Sequence, residues 1–187
     1  MDTNSAAEIC RWIFPRATPG LLELAEEVSQ PGCLLKVCCS AEELRAALPE
    51  RWQVEPTGYF MTALVGWERA KLPTGYKLEV EPGAALTRVQ LRAQVGEVAA
   101  SGFGAETAEA FIYDRIVTAP GHRRRGLGKT VMTALRESCR NSTLRGLLVA
   151  TEEGRSLYRT LGWQTLSTYS TALIPSAVTA TPAWPVS

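Results

Sequence analysis

The sequence predicts an α/β fold with a mixed sheet, and two patterns in its C-terminal two thirds point to it. Apolar and polar residues alternate in 86-LTRVQLRAQ-94, which is typical of a half-buried strand. Similar stretches at 76–80, 98–104 and 110–118, with a turn at Val95-Gly96-Glu97, predict an antiparallel meander. The pattern then changes to helix, buried strand, helix and strand. Antiparallel strands followed by alternating helices and strands indicate a mixed sheet with helices packed on it.

The elements after the meander have distinct signals. Apolar residues spaced as Leu127, Val131 and Leu135 mark one face of a helix. The run 147-LLVA-150 predicts a buried strand, and a short helix should follow and end at Gly162. A last strand should run from Trp163 to about residue 173.

The N-terminal third predicts a small α-β-α-β arrangement. Thr18-Pro19 is typical of a helix start, and residues 33–39 favour a short buried strand. Ser40 and Glu43 have capping-box spacing before a second helix, and residues 57–65 favour another strand. We therefore predict an N-terminal α/β region at 1–66, a main domain at 75–175 and a loose tail at 176–187, which is rich in Pro, Ala and Thr.

Composition excludes several function classes. The chain has 187 residues, 45% of them hydrophobic, and a formal net charge of +1, which gives no general attraction to nucleic acid or a membrane. No apolar run is long enough to span a bilayer, and the first ten residues lack the pattern of a secretory signal. Five cysteines without zinc-type spacing and a single histidine argue against a metal site or a disulfide framework. We therefore predict a cytoplasmic protein without a metal.

The motif 123-RRRGLG-128 stands immediately before the helix that starts near Leu127. Glycines beside a helix N-terminus let a ligand approach the backbone N–H groups, and the helix dipole and the arginines favour an anion there. The P-loop pattern of Gly-Lys-Ser/Thr with its four-residue spacer from a first glycine is missing, and so is the third glycine of a dinucleotide-binding loop. It predicts a pyrophosphate cradle; a solvated basic turn is the alternative.

The order of motifs resembles the GNAT superfamily of acyl-CoA-dependent N-acyltransferases. A strand leads to Pro120, then to Arg123-x-x-Gly126-x-Gly128, a helix, a strand and 157-LYRTLGW-163. The family has an Arg/Gln-x-x-Gly-x-Gly/Ala loop and a Leu-Tyr-x-x-Leu-Gly-Phe/Trp helix end in these places. The resemblance covers about residues 75–175 and implies the GNAT fold and acetyl-CoA as acyl donor.

The resemblance also implies roles for individual residues. The loop should bind the CoA pyrophosphate and the strand before it the pantetheine arm. These cofactor-binding residues are Ile116, Val117, Thr118, Arg123, Arg124, Arg125, Gly126, Leu127 and Gly128. Thr151 takes the place of an Asn that often touches the cofactor in the family, so its contact is the weakest of the set.

Two residues are candidates for the chemistry. Tyr158 matches the family's tyrosine, which can protonate the departing CoA thiolate; the alternative is a Tyr that only packs. Asp114 stands two residues after Ile112, the position where some family members have a Glu. Asp114 is the candidate base or substrate-orienting residue, and pairing with a nearby arginine is the alternative.

The resemblance leaves the acceptor open. The first hypothesis is an acetyl-CoA-dependent N-acetyltransferase for a small primary amine, working by direct attack in a ternary complex. The others are a protein lysine or N-terminal acetyltransferase and a CoA-binding regulatory module without catalysis. Neither nucleic acid nor a membrane is an expected partner, and the sequence does not determine the oligomeric state.

One departure from the family concerns the acceptor side. GNAT domains usually have two helices between their first two strands, but here only a few residues separate 76–80 from 86–94. Residues 34–64 resemble residues 147–173, with Trp52 at the place of Trp163 and Arg45 at that of Tyr158. We therefore predict that residues 16–64 are a degenerate copy of the C-terminal half of a GNAT domain. Chance similarity between strand–helix–strand units is the alternative.

Overall fold

The computed structural model describes residues 8–63 and 69–175. Residues 64–65 of the strand predicted at 57–65, part of the connector after it and the tail at 176–187 lie outside this range. No helix in the described part of the chain is long and apolar enough to cross a membrane.

The structure has helices and strands in the predicted order, and it confirms the α/β class. The helices are α1 (Pro19–Glu27), α2 (Ala41–Ala47), α3 (Leu127–Ser138) and α4 (Glu152–Thr160). The strands are β1 (Cys10–Phe14), β2 (Cys33–Val37), β3 (Gln53–Val54), β4 (Gly58–Ala63), β5 (Tyr76–Pro82), β6 (Thr87–Ala93), β7 (Val98–Glu106), β8 (Ala110–Thr118), β9 (Arg145–Ala150) and β10 (Gln164–Leu173).

The described residues divide into two compact units. The first unit comprises the described residues within Met1–Phe60, Ala150–Arg155 and Thr165–Ser187. The second unit comprises the described residues within Met61–Val149 and Ser156–Gln164. The units thus cut across the linear division at 1–66 and 75–175, because most of β10 belongs with the N-terminal elements. The linear domain bounds stay a prediction.

The first unit is a small sheet with its own core. β2 pairs in parallel with β1 and antiparallel with β10, which also carries β3. The predicted helix caps are present: the Thr18 hydroxyl accepts from Leu21 N–H at 3.4 Å, and Ser40 and Glu43 form the capping box. Trp52 lies in the core at 4% exposure, and its Nε1–H donates to Ala25 O at 3.0 Å. Its burial ties the segment after α2 to the end of α1.

β1 and one disulfide were not predicted from the sequence. The parallel register sets Cys10 opposite Cys33 with a Cα–Cα distance of 4.8 Å, and the two cysteines are bonded. No local pattern signals this pair, because the two cysteines are 23 positions apart and a whole helix lies between them. The cysteine count therefore does not reveal this disulfide, while Cys38, Cys39 and Cys139 are free.

The second unit contains the predicted meander. β5, β6, β7 and β8 pair antiparallel in chain order, and β9 pairs in parallel with β8. β5 passes directly to β6 between Pro82 and Thr87, so the two helices usual in the family at this place are absent, as predicted.

Glycines in β7 let α3 pack close to this sheet. A Cβ at Gly102 would stand 2.9 Å from Val131 Cγ1 and would also overlap the Ile116 side chain. A Cβ at Gly104 would meet Leu135 Cδ2 at 3.2 Å. Because only glycine leaves this space, the apolar face of α3 lies directly on β7.

The two halves share one order of elements. In the first unit α1 connects the parallel strands β1 and β2, and in the second α3 connects the parallel strands β8 and β9. A short helix and a strand follow in each case, and Trp52 and Trp163 occupy matching positions at 4% and 3% exposure. β1 extends the matching segment back to Cys10. This agreement supports the predicted degenerate repeat.

We expect Trp52→Ala to destabilise the protein by about 3–5 kcal/mol, since it empties a large core site and removes the donor to Ala25 O. Urea unfolding measures the change. Gly20→Ala is the control, because a Cβ there meets nothing within 4 Å and α1 should be unchanged or slightly stabilised. A loss below about 1 kcal/mol in Trp52→Ala would contradict the core role.

Candidate active site

The parallel pairing of β8 with β9 is short. It covers Ala110–Ile112, and Ile112 lies opposite Leu147. Both strands continue beyond this point, β8 as far as Thr118. The later part of β8 therefore leaves its β9-facing backbone edge outside this ladder, as the resemblance to the family predicted for its splayed strands.

A β-bulge lies in this part of β8. Ser101 pairs with Val117 and Phe103 with Asp114, so Arg115 and Ile116 together oppose Gly102. Arg115 has a φ of 48°, in the left-handed region. The extra residue shifts the alternation of side chains, so that Ile116 packs near Gly102 while Val117 is 57% exposed.

The glycine loop forms the start of α3. Gly126 is the N-cap with a φ of 77°, and Thr130 N–H donates to Gly126 O at 3.1 Å. This is the first bond of the helical ladder, so the N–H groups of Gly126, Leu127 and Gly128 precede it. A Cβ at Gly126 would meet nothing within 4 Å, which leaves the backbone accessible. The loop therefore has the open donors and the dipole that a pyrophosphate requires.

The three arginines of the loop differ in their surroundings. A short 3-10 turn at Pro120–His122 precedes them, and Arg123 caps it. Arg124 has a φ of 60° and is exposed. Arg125 Nη1 donates to the Tyr76 hydroxyl at 2.9 Å. The sequence alone does not distinguish the three arginines, whereas in the folded protein the bond to Tyr76 holds the Arg125 side chain at a defined position.

Apolar side chains are exposed near the loop. A Cβ at Gly128 would lie 3.8 Å from both Leu157 Cδ2 and Thr118 Oγ1, so the end of β8 and one face of α4 adjoin the start of α3. Leu157 is 47% exposed, and Val149 on β9 is 49% exposed. Leu157, and Val117 beside Thr118 at the end of β8, offer apolar surface next to the start of α3. The sequence does not reveal that Leu157 and Val149 are exposed, because an apolar residue in a strand or helix pattern favours the core.

Tyr158 lies in the interior of the second unit. Its side chain is 7% exposed, and its ring centroid is 5.9 Å from that of Trp163. The Tyr158 carbonyl accepts from Leu161 N–H and Trp163 N–H, which fixes the turn at the end of α4. Burial raises the pKa of the Tyr158 hydroxyl to about 12. The side chain therefore stays protonated at neutral pH, as a proton donor must.

Asp114 is half-exposed and paired. Its Oδ2 accepts from Arg115 Nε at 2.9 Å, and the Arg115 guanidinium lies 4.4 Å from the centroid of the Phe103 ring. The register is regular from residue 112 to residue 114, so Asp114 shares the face of Ile112, as expected. The arginine pairing foreseen as the alternative is present, and the role of Asp114 as base stays a prediction.

Thr151 has a structural task. Its hydroxyl accepts from Gly154 N–H at 3.2 Å, and its carbonyl accepts from Arg155 N–H at 2.7 Å. It thus caps the start of α4. Its predicted contact with the cofactor has to compete with this bond.

An open cavity of about 450 Å³ lies beside the start of β5, away from the residues predicted for catalysis. Tyr76, Lys77 and Arg92 are among its lining residues. Glu79, which also lines it, accepts from Arg92 at 2.7 Å and from Lys77 at 3.1 Å, and these bonds lower the pKa of its carboxyl. No group of side chains suited to hold a metal ion is found among the described residues.

Comparison with known proteins identifies the family. Residues 86–165 match the family model described as an acetyltransferase (GNAT) domain. No curated protein sequence matches the chain. The matched segment contains the bulged β8, the start of the short parallel pairing to β9 and the loop at the start of α3. The match assigns residues 86–165 to a GNAT acetyltransferase domain, a fold of the kind that uses acyl-CoA.

Solved structures show the same fold. A GCN5-related N-acetyltransferase from Kribbella flavida is 17% identical over 77% of this chain and 68% of that chain, with a TM-score of 0.56. A putative GNAT acetyltransferase from Novosphingobium aromaticivorans is 16% identical over 88% and 84%, with a TM-score of 0.58. A tandem GNAT protein from the clavulanic acid biosynthesis pathway is 13% identical over 77% and 65%, with a TM-score of 0.54.

Gly128→Ala should separate binding from folding. A Cβ there makes only ordinary contacts and alanine favours a helix, so stability should stay equal or rise by up to about 1 kcal/mol. The methyl group should nevertheless obstruct close approach of a pyrophosphate, so we expect CoA to bind at least about tenfold more weakly by calorimetry, a change of about 1.4 kcal/mol. Gly121→Ala is the control, since it also has open space around its Cβ. Equal CoA affinity in both variants would contradict the cradle.

The pKa of Tyr158 predicts a loss of stability in alkali. The raised pKa means that the unfolded chain releases this proton near pH 10, while the folded protein keeps it until about pH 12. Stability is therefore intact below pH 10 and declines above it, by about 1 kcal/mol at pH 11 from this group. Urea unfolding at pH 9 and pH 11 should show a smaller decline in Tyr158→Phe than in the wild type. Equal declines would mean that Tyr158 titrates normally.

Proposed function

We propose that this protein transfers an acetyl group from acetyl-CoA to a primary amine of a small molecule, by direct attack in a ternary complex. The observation that carries the proposal is the glycine loop at the start of α3, adjoined by the end of β8, whose β9-facing edge lies outside the ladder with β9. The open N–H groups would hold the CoA pyrophosphate, with Arg123, Arg124 and Arg125 adding charge. Ile116, Val117 and Thr118 would follow the pantetheine arm.

The chemistry needs one proton removed and one supplied. The neutral amine attacks the thioester carbonyl, and the C–S bond breaks as the tetrahedral intermediate collapses. The amine proton leaves to a base or water, and the CoA sulfur takes a proton. Backbone N–H groups of the splayed β8 are suited to stabilise the oxyanion, because this edge lies outside the ladder with β9.

We assign proton donation to Tyr158. With a pKa of about 12, its hydroxyl is a weaker acid than a free thiol. Transfer therefore requires that the departing thiolate be made more basic by the same apolar surroundings that raise the pKa of Tyr158. The exposed apolar side chains of Val117 and Leu157 would provide such surroundings.

Asp114 is assigned to the acceptor amine. Its carboxylate is half-exposed on β8, and it would orient an ammonium group or accept the amine proton. The bond to Arg115 has to be shared or exchanged when the amine binds. A net charge of +1 offers no long-range attraction to a basic protein tail, which favours a small acceptor over a protein.

Two further assignments concern Thr151 and the location of the protein in the cell. Thr151 would touch the cofactor only through a hydroxyl that also caps α4. A cytoplasmic location is proposed from the composition, and the Cys10–Cys33 disulfide weighs against it because disulfides persist mainly in oxidising compartments.

The decisive experiment is acetyl transfer to a panel of amines, with free thiol as the readout. Small amines, lysine peptides and peptides with a free N-terminus are each tested with acetyl-CoA, and product masses confirm the transfer. Turnover with small amines supports the proposal. Turnover with peptides alone favours the protein acetyltransferase, and CoA binding without any transfer favours a regulatory module.

Tyr158→Phe tests the proton donor. We expect kcat to fall about tenfold or more with an unchanged Kd for acetyl-CoA, because protonation of the thiolate matters after binding. Stopped assays and calorimetry measure the two quantities. Tyr169→Phe is a matched control, since that Tyr is only partly buried and lies on β10. Full activity in Tyr158→Phe would show that water or another group protonates CoA.

A further inference from the structure

Four side chains from separate segments form one hydrogen-bonded chain beside the phosphate-binding loop. Tyr76 comes from the start of β5, Glu97 from the turn before β7, His122 from the 3-10 turn and Arg125 from the loop itself. Arg125 Nη1 lies 2.9 Å from Tyr76 Oη, Tyr76 Oη lies 2.9 Å from His122 Nδ1, and His122 Nε2 lies 3.1 Å from Glu97 Oε1. We call this set the Arg125 chain.

The chemistry of the groups fixes the direction of each bond. A guanidinium can only donate, so the Tyr76 oxygen accepts from Arg125. In the neutral imidazole the proton is on Nε2, because the Glu97 carboxylate on that side can only accept. The Tyr76 hydroxyl then donates its proton to the unprotonated Nδ1. Every member of the Arg125 chain thus has a defined orientation.

Packing supports the same arrangement. The Tyr76 and His122 rings meet edge to face, with centroids 5.7 Å apart. The His122 side chain is 17% exposed, so it is held within the fold, while Glu97 is 47% exposed. Arg125 alone of the four is a member of the predicted cradle. The Arg125 chain therefore connects β5, at the edge of the sheet, to the Arg125 guanidinium of the loop.

We propose that Tyr76, His122 and Glu97 are positioning residues that hold Arg125 ready for the phosphates of the acyl donor. The inference rests on the proposed function, because it assumes that the loop binds CoA. A free arginine loses rotamer freedom when it binds phosphate, and the bond to Tyr76 removes part of that loss before the ligand arrives. One N–H goes to Tyr76, and four donors remain for phosphate oxygens.

The proposal separates Arg125 from its neighbour. Arg124 has the same charge in the same loop and is exposed like Arg125, but it has no bond to the Tyr76 hydroxyl. Charge alone would make the two arginines equivalent for CoA binding. If Tyr76 positions Arg125, the contribution of Arg125 to CoA affinity depends on Tyr76, whereas the contribution of Arg124 does not.

A double-mutant cycle on CoA affinity tests this difference. We expect Tyr76→Phe, which keeps both charges, to weaken CoA binding about three- to tenfold by calorimetry. The effect should vanish in the Arg125→Gln background and persist in the Arg124→Gln background, because only Arg125 is coupled to Tyr76. A Tyr76→Phe effect that is absent, or that persists in full with Arg125→Gln, would overturn the proposal.

NMR of the imidazole gives a second readout. His122 is the only histidine of the chain, so its ring signals need no assignment by mutation. In the neutral form we expect protonated Nε2 and unprotonated Nδ1, with a mixture of tautomers in Tyr76→Phe. A wild type with the proton on Nδ1 would overturn the hydrogen-bond order. Glu97→Ala, at a half-exposed turn, should weaken CoA binding in the same direction as Tyr76→Phe without endangering the fold.

The outcomes distinguish this inference from the proposed function. A wild type that does not bind CoA overturns both. If the wild type binds CoA and Gly128→Ala weakens that binding while Tyr76→Phe and Glu97→Ala do not, the cradle stands and the positioning role falls. Thermal melts of each variant establish that it is folded before its affinity is compared.

Discussion

The close packing of α3 on β7 is the constraint on which the candidate site depends. Gly102 and Gly104 leave no room for a side chain beneath Val131 and Leu135, so the helix lies at a fixed depth on the sheet. That depth sets the first turn of α3 beside Thr118 at the end of β8 and Leu157 on α4. A larger residue in β7 would displace the helix start, and with it the N–H groups of the predicted anion cradle. The position of the candidate binding loop therefore depends on the packing of α3 in the core.

The bulge in β8 adds the second requirement for the site. One extra residue at Arg115–Ile116 turns Ile116 toward the α3 side of the sheet and leaves Val117 exposed. Because β9 pairs with β8 only as far as Ile112, the bulged segment keeps a backbone edge outside that ladder. An edge of this kind is usually a liability in a sheet. Here its position beside the loop makes it suitable for an extended ligand such as pantetheine.

The two halves of the chain have the same order of secondary-structure elements but differ at the start of the first helix. Each has parallel strands joined by a helix, then a short helix and a buried tryptophan. In the N-terminal half α1 begins with Thr18 capping its own first turn, and Arg45 stands in place of Tyr158. A capped helix start has fewer N–H groups for an anion than the start of α3.

Local patterns in the sequence determined the element order, the helix caps at Thr18 and Ser40, the meander and the loop with its glycines. These signals depend on residues within a few positions of one another, so a single chain displays them directly. The family match to residues 86–165 agrees with the resemblance that the two motifs indicated.

Tertiary structure alone decided the features that join distant residues. β1 is short, and neither it nor the Cys10–Cys33 bond has a local signal, because only the parallel register brings them together. The same holds for the exposed positions of Val149 and Leu157, since an apolar residue gives the same pattern in a core and in a ligand groove. The sequence presented three equivalent arginines. The fold distinguished Arg125, because Tyr76, 49 positions away, lies within hydrogen-bond distance only after the sheet has formed.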